Sequence, residues 1–266
     1  MKVKEKTKRR VGFVLLMVFI VICLSLIINF IPTLKLQTAK MSGLKGDWID
    51  VYYEKESAAA EDTFNYADSE TERIARKLGF TEKPPVKVYI YDLQKTMQTK
   101  KYGLIGPMLN LDWYIGDNIG TNVILTSPAN PGPAHTYDDN KYAVLHEIVH
   151  AYISVMNPKI RLWLTEGCAL YLANGNAIDD EDLPYMQIPS FEDTRTKSPI
   201  RFADCGGYSF AYEYISFLDK EYGWEKVVEL LKTEDYVKVI GKSEHEIYDD
   251  WVESLNNRVN RNYNML

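Results

Sequence analysis

Hydrophobic and polar positions follow three different rules along this chain. Residues 11–31 obey only apolarity: 21 residues pass without a charge, and about 20 suffice for one helical crossing of a bilayer. Residues 32–45 break the run and read as a linker. Beyond them, short stretches alternate with a period of two. DWIDVYY (47–53), VKVYIY (86–91) and NVILTS (122–127) therefore predict strands. Residues 57–78 carry Phe64, Ala67, Ile74 and Leu78 near helical spacing, with Gly79 behind them, and predict a helix. Residues 92–114 fit neither period. Gly103, Gly106 and Pro107 mark them as irregular and mobile. A Pro- and Gly-rich loop follows. Helical spacing returns over 140–156, with Asp138, Asp139 and Asn140 as candidate caps. It stops at Asn157-Pro158 and resumes from Thr165 to Leu172. Residues 174–201 read mostly as loop. Three more helices are predicted at 208–222, 224–231 and 243–257. Strands first and helices afterwards make an α+β body.

Charge divides the chain at the same place. The sequence carries −6 overall, with 31 basic and 37 acidic residues. The first ten residues hold six of the bases and one acid, so the remainder has 25 bases, 36 acids and a charge of −11. A basic tail before an apolar span predicts a cytoplasmic segment at 1–10, a signal anchor at 11–31 and an extracytoplasmic domain at 46–266. The rival reading is a cleaved signal, with a shorter apolar core and small residues at its cut site. The run instead ends in Asn29-Phe30-Ile31-Pro32. The acidic body excludes nucleic acid as a partner and electrostatic adhesion to anionic lipid. Membrane contact is assigned to residues 11–31. Of three cysteines, Cys23 falls in the span; Cys168 and Cys205 could pair in an oxidising exterior.

The chemistry concentrates in KYAVLHEIVHAYISVMNPKIRLWLTEGCALYL, residues 141–172. His146 and His150 are four apart, so a helix stacks them on one face within reach of one metal ion. Zinc accepts imidazole nitrogen and carboxylate oxygen, and a catalytic site usually has three protein ligands. The break at Asn157-Pro158 can fold the next helix back and bring the Glu166 carboxylate to the same ion. Glu147 lies about 100° round the helix from His146. It is poorly aimed to ligate but well placed to act as general base towards an activated water. Paired histidines on an apolar helix also occur as hydrogen-bonded core residues. The Pro turn and the carboxylate that follows shift the reading to a metallohydrolase with one Zn²⁺ per chain.

HEIVH followed by RLWLTEGCALYL resembles the gluzincin metallopeptidases, the thermolysin and aminopeptidase N group. It looks closest to the small peptidase MA-like family, whose third ligand sits in Trp-Leu-x-Glu-Gly. The resemblance implies a zincin-like domain with a small mixed sheet and a helical C-terminal half. It implies His146, His150 and Glu166 as zinc ligands and Glu147 as catalytic base. In the aminopeptidase N branch a later tyrosine stabilises the tetrahedral intermediate. Tyr208 takes that place by chain order, with Tyr212 as the alternative. The chain departs from the group in three ways: the gap before Glu166 is shorter than in thermolysin, Leu170 stands where thermolysin-like enzymes keep an acid, and the Gly-x-Met-Glu-Asn exopeptidase motif has no clear match.

The expected function is thus a membrane-anchored zinc metallopeptidase acting on a peptide or protein substrate. The alternatives are an inactive peptidase-like binding or sensory ectodomain, or a zinc hydrolase of non-peptide amides. Residues 122–127 are the expected edge strand for an extended peptide. His135 and His245 read as surface histidines, Cys168 as a non-ligand, and the acidic run at 179–185 as a solvated loop. The anchor makes a testable prediction. Protease added to intact cells should digest the body and spare the tail; a body that is protected, or released by a cut near residue 31, would overturn the topology.

Overall fold

Alternation in the strands decides which side chains meet which layer. The computed structural model describes residues 2–173 and 175–263; Asn174, inside the stretch expected to be loop, and the side chains of the basic tail at 1–9 lie outside the described ones. Five short strands form a mixed sheet: β1 (Ser42–Lys45), β2 (Asp50–Tyr53), β3 (Lys87–Tyr91), β4 (Gly116–Ile119) and β5 (Asn122–Thr126), in the order β1-β2-β3-β5-β4. β2, β3 and β5 run parallel, while β1 and β4 are antiparallel to their neighbours. β1 comes from the stretch that reads as linker. Val51, Val88, Ile90, Val123 and Leu125 point into the main core. Tyr91 and Ile124, one residue out of phase, point to the other face. Helices α2 (Ser57–Lys77) and α4 (Tyr137–Met156) pack on the first face, and α3 (Gln94–Tyr102) packs on the second with Met97 and Tyr114.

The edge strand is not the expected one. β5 lies between β3 and β4, and its residues from Val123 to Thr126 are all buried. An unbroken buried run suits an interior strand. The edge on this side of the sheet is β4, whose Gly-Asp-Asn-Ile keeps some solvent contact at every position; β1 is the edge on the other. The stretch expected to be irregular and mobile is irregular but tied down. It contains α3 and a 3-10 turn, Gly103–Met108. The Gln98 amide donates to the Leu111 carbonyl at 2.9 Å, and the Gln94 amide donates to those of Asp112 and Tyr114 at 2.9 and 3.1 Å.

The N-terminal helix α1 (Lys2–Phe30) leaves its apolar side chains exposed, and residues 10–34 are long and apolar enough to cross a membrane. The helical half follows α4. Its cap is Thr136, one turn earlier than expected: its Oγ1 accepts from the Asp139 N–H, and Asp139 Oδ2 accepts from the Thr136 N–H in return. α5 (Leu162–Leu172) starts three residues before Thr165, so Glu166 sits in its second turn. Short helices α6 (Phe191–Thr194) and α7 (Pro199–Asp204) interrupt the expected loop. Then come α8 (Gly207–Tyr222), α9 (Trp224–Thr233), α10 (Tyr236–Ile240) and α11 (Glu244–Tyr263). Trp251 of α11 is fully buried, with Trp163, Phe210 and Tyr214 in edge-to-face contact around it. Cys168 and Cys205 are both free thiols, so the possible pair is not formed.

The closest helix contact is α5 against α8, and Gly167 makes it. A Cβ there would run into the Ala211 carbonyl oxygen and stand 2.8 Å from Ile215 Cγ1. Gly167→Ala gains up to ~1 kcal/mol of helix propensity, but the backbones must separate, and overpacking typically costs about 1–3 kcal/mol. We expect a net loss of stability, read as a thermal midpoint lowered by about 2–4 °C per kcal/mol. An unchanged or raised midpoint would show that the two helices can part freely.

Candidate metal centre

Two helices bring three donor atoms together. His146 and His150 project from one face of α4, and Glu166 reaches them from α5. His146 Nε2 lies 3.0 Å from His150 Nε2, and Glu166 Oε2 lies 3.3 and 3.5 Å from the two nitrogens. Ligands about 2.05 Å from a tetrahedral zinc are separated by about 3.3 Å, so the triangle has the size that a zinc ion requires. The three side chains form a cluster able to hold a metal ion. Its chemistry fits too. Glu166 Oε2 is buried and has no hydrogen-bond partner among the protein groups. His150 Nδ1 lies 2.8 Å from Thr165 Oγ1. With Nδ1–H donating to that hydroxyl, Nε2 keeps its lone pair and aims it at the centre. Burial raises the Glu166 carboxyl, but the neighbouring imidazoles, His150 foremost and then His146, outweigh that and hold it well below the usual carboxylate range.

Glu147 stands beside this triangle, and its proton affinity is high. Its pKa is pushed up to about 8, first by burial and then by the charges of Asp117 and Glu166, with His146 pulling the other way. The residue keeps some solvent contact, so the rise reflects a crowded crevice rather than a sealed core. A cation held at the triangle would draw the value down. Tyr208 opens α8 with its ring edge-on to Phe202, 5.0 Å between centroids. It is 46% exposed, and its hydroxyl is pushed up to about 12 by partial burial and by the charges of Glu166 and Glu147. The charges of both carboxylates act on its hydroxyl. Tyr212 instead packs its ring 5.5 Å from Tyr171.

The remaining histidines lie elsewhere. His135 Nε2 is 2.9 Å from the Trp113 carbonyl oxygen, and His245 pairs with Asp249 on an exposed face of α11. Cys168 is fully buried, and burial raises its thiol. Three contributors to the crevice escaped the sequence reading. Thr165 is adjacent to a named ligand, but its contact with His150 depends on where α5 starts. Asp117 of β4, paired with Lys101 at 2.7 Å and with the Tyr114 hydroxyl, adds negative charge that acts on Glu147. Gly116 lies against Glu147: a Cβ there would stand 3.2 Å from Glu147 Cγ. Comparison with protein-family models, curated proteins and solved structures finds no match to this chain.

The donor triangle predicts metal retention. The full-length chain purified in detergent should carry one zinc by elemental analysis. His150→Ala should lose it, and Thr165→Val should weaken binding by the ~10–100-fold typical of an outer partner. Full zinc occupancy in His150→Ala would place the ligands elsewhere.

Proposed function

We propose that this chain is a zinc metallopeptidase of the gluzincin type, anchored in a membrane by α1 and hydrolysing peptide bonds in peptide or protein substrates. The observation that carries this reading is the triangle of His146, His150 and Glu166 with an unligated carboxylate, Glu147, at its side. Six basic residues before the span favour a cytoplasmic N-terminus and a body on the outer face.

Zinc held by the three ligands would supply Lewis acidity, acidifying water and polarising the scissile carbonyl. The protein's own groups do the rest. Glu147 takes a proton from the attacking water and passes it to the departing amine. Its high proton affinity suits a group that must receive and then release a proton near neutral pH. The Tyr208 hydroxyl donates to the oxygen that becomes negative as the carbonyl carbon turns tetrahedral. Thr165 holds His150 in the tautomer that leaves Nε2 free.

The edge strand gives a place for substrate main chain. Gly120 and Thr121 form a two-residue turn between β4 and β5, which makes Ile119 and Asn122 a hydrogen-bonded pair. Alternation then turns the main-chain groups of Asn118 and Gly116 outward. Lys101 already donates to the Asn118 carbonyl at 2.9 Å. Gly116 is left as the outward position beside Glu147, where an extended peptide can pair.

Glu147→Gln keeps size and helix while removing the base. Zinc should stay bound, and turnover of a mixed peptide library should fall by ~10²–10⁴. Tyr208→Phe should give a smaller loss, mainly in kcat. Equal rates in wild type and Glu147→Gln would remove Glu147 from the mechanism; a zinc-loaded wild type that binds peptides without cutting them would favour a sensory domain.

A further inference from the structure

The outer end of α1 is not joined to the body by a loose tether. The Asn29 side chain donates to the Tyr102 carbonyl at 3.1 Å and accepts from the Ile105 N–H at 3.0 Å. Lys100 donates to the carbonyls of Pro32 and Lys35 at 3.3 and 2.6 Å. Gly103 makes the seat possible: it sits at φ +78°, and a Cβ there would collide with the Asn29 backbone and stand 2.6 Å from Nδ2. The segment seated on the helix end is GLIGPMLNL, residues 103–111, nine residues without a charge in a body that is otherwise strongly acidic. Leu104, Ile105 and Leu109 are exposed, Met108 is 75% exposed, and Trp113 just beyond is 61% exposed. A soluble surface rarely groups such side chains without an apolar partner.

Depth identifies the partner. Residues 11–31 as a helix measure about 31 Å, the thickness of the hydrocarbon core. Asn29 then stands at the outer boundary of that core, and backbone held directly on Asn29 lies among the lipid headgroups. Tryptophan at that level is a common interfacial anchor.

We propose that residues 103–113 are a second membrane-contact element, inserted into the bilayer surface beside the end of α1. The crevice at Gly116 and Glu147 consequently opens at the membrane and takes extended segments of membrane-tethered polypeptides. The proposal rests on α1 as a membrane span and deepens the peptidase reading. Adhesion is by apolar insertion, so it is compatible with an acidic body. β4 begins three residues after Trp113, and Lys101, one residue before Tyr102 at the α1 seat, pairs with Asp117 of that strand. The substrate edge and the membrane element are thus parts of one rigid corner.

The test uses the full chain in phosphatidylcholine vesicles, with Cys23→Ala and Cys205→Ser and with Cys168 buried. A nitroxide at Met108→Cys should be relaxed more by oxygen than by a water-soluble nickel complex. The same label at Tyr185→Cys, in an 87% exposed position, should show the reverse. A label at 108 that behaves like the one at 185 overturns the contact; one shielded from both reagents means that protein, not lipid, covers the element. Activity tests the second half. Leu104→Ser, Met108→Ser and Leu109→Ser together should cut cleavage of a lipid-tethered peptide at least about fivefold through lost local concentration, leaving the free peptide unaffected. An unaltered preference for the tethered peptide would overturn membrane-gated access. Should wild type cleave neither peptide, the peptidase reading fails, and the nitroxide result still decides the contact.

Discussion

Holding two imidazole nitrogens and a carboxylate oxygen within 3.5 Å of one another is the constraint around which this domain is built. Left alone, the arrangement is costly. The Glu166 oxygen is buried without a hydrogen-bond partner, a deficit of about 1–3 kcal/mol or more for a charged group. Thr165 lies at the other nitrogen of His150; with Nδ1–H donating to its hydroxyl, Nε2 is an acceptor facing acceptors. A cation held at the triangle would relieve this.

The body therefore has to force α4 and α5 together, and it does so from the far side. Their connection is fastened to the C-terminal helices. Arg161 donates from its backbone N–H and Nε to Glu234, each at 3.0 Å, and from Nη1 to Glu244 at 2.5 Å. The Asn157 amide donates to the Leu231 carbonyl at 3.2 Å. Gly167 lets α8 approach α5 at the residue after the ligand, and Trp163 locks the start of α5 against Trp251. Each contact limits sliding of α5 along its axis, the movement that would pull Glu166 from the triangle. A site positioned by helices and backed by a packed aromatic layer is held more tightly than one carried on loops.

Much of this was legible in the sequence, and the failures share a cause. Helical spacing located α2, α4, α8, α9 and the start of α11 to within a few residues, though α11 runs six residues past its expected end, and alternation located β2, β3 and β5. The i, i+4 rule put His146 and His150 on one face, because that relation is local. The edge strand was misassigned because the identity of an edge is a property of the sheet. β4, with only Gly-Asp-Asn-Ile, has no periodic signal long enough to read. Asp117 and Gly116 were missed with it. Thr165 was missed because its contact with His150 depends on the register between two helices. Residues 92–114 looked loose because their order comes from Gln94 and Gln98 side chains bonded to distant carbonyls, which leave no periodic trace.

α3 links the end of α1, the edge strand and Glu147. It covers the second face of the sheet with little apolar surface of its own, chiefly Met97. Four of its nine side chains instead hold other segments in place. Gln94 and Gln98 hold the segment leading into β4. Lys100 holds the backbone after the α1 helix, and Lys101 holds both Asp117 and the Asn118 carbonyl. Asp117 in turn adds the negative charge that helps to keep the Glu147 proton affinity high. One short helix thus ties together the seat of α1, the line of the edge strand and the electrostatics of Glu147. The end of α1 and the crevice are linked through the same nine residues.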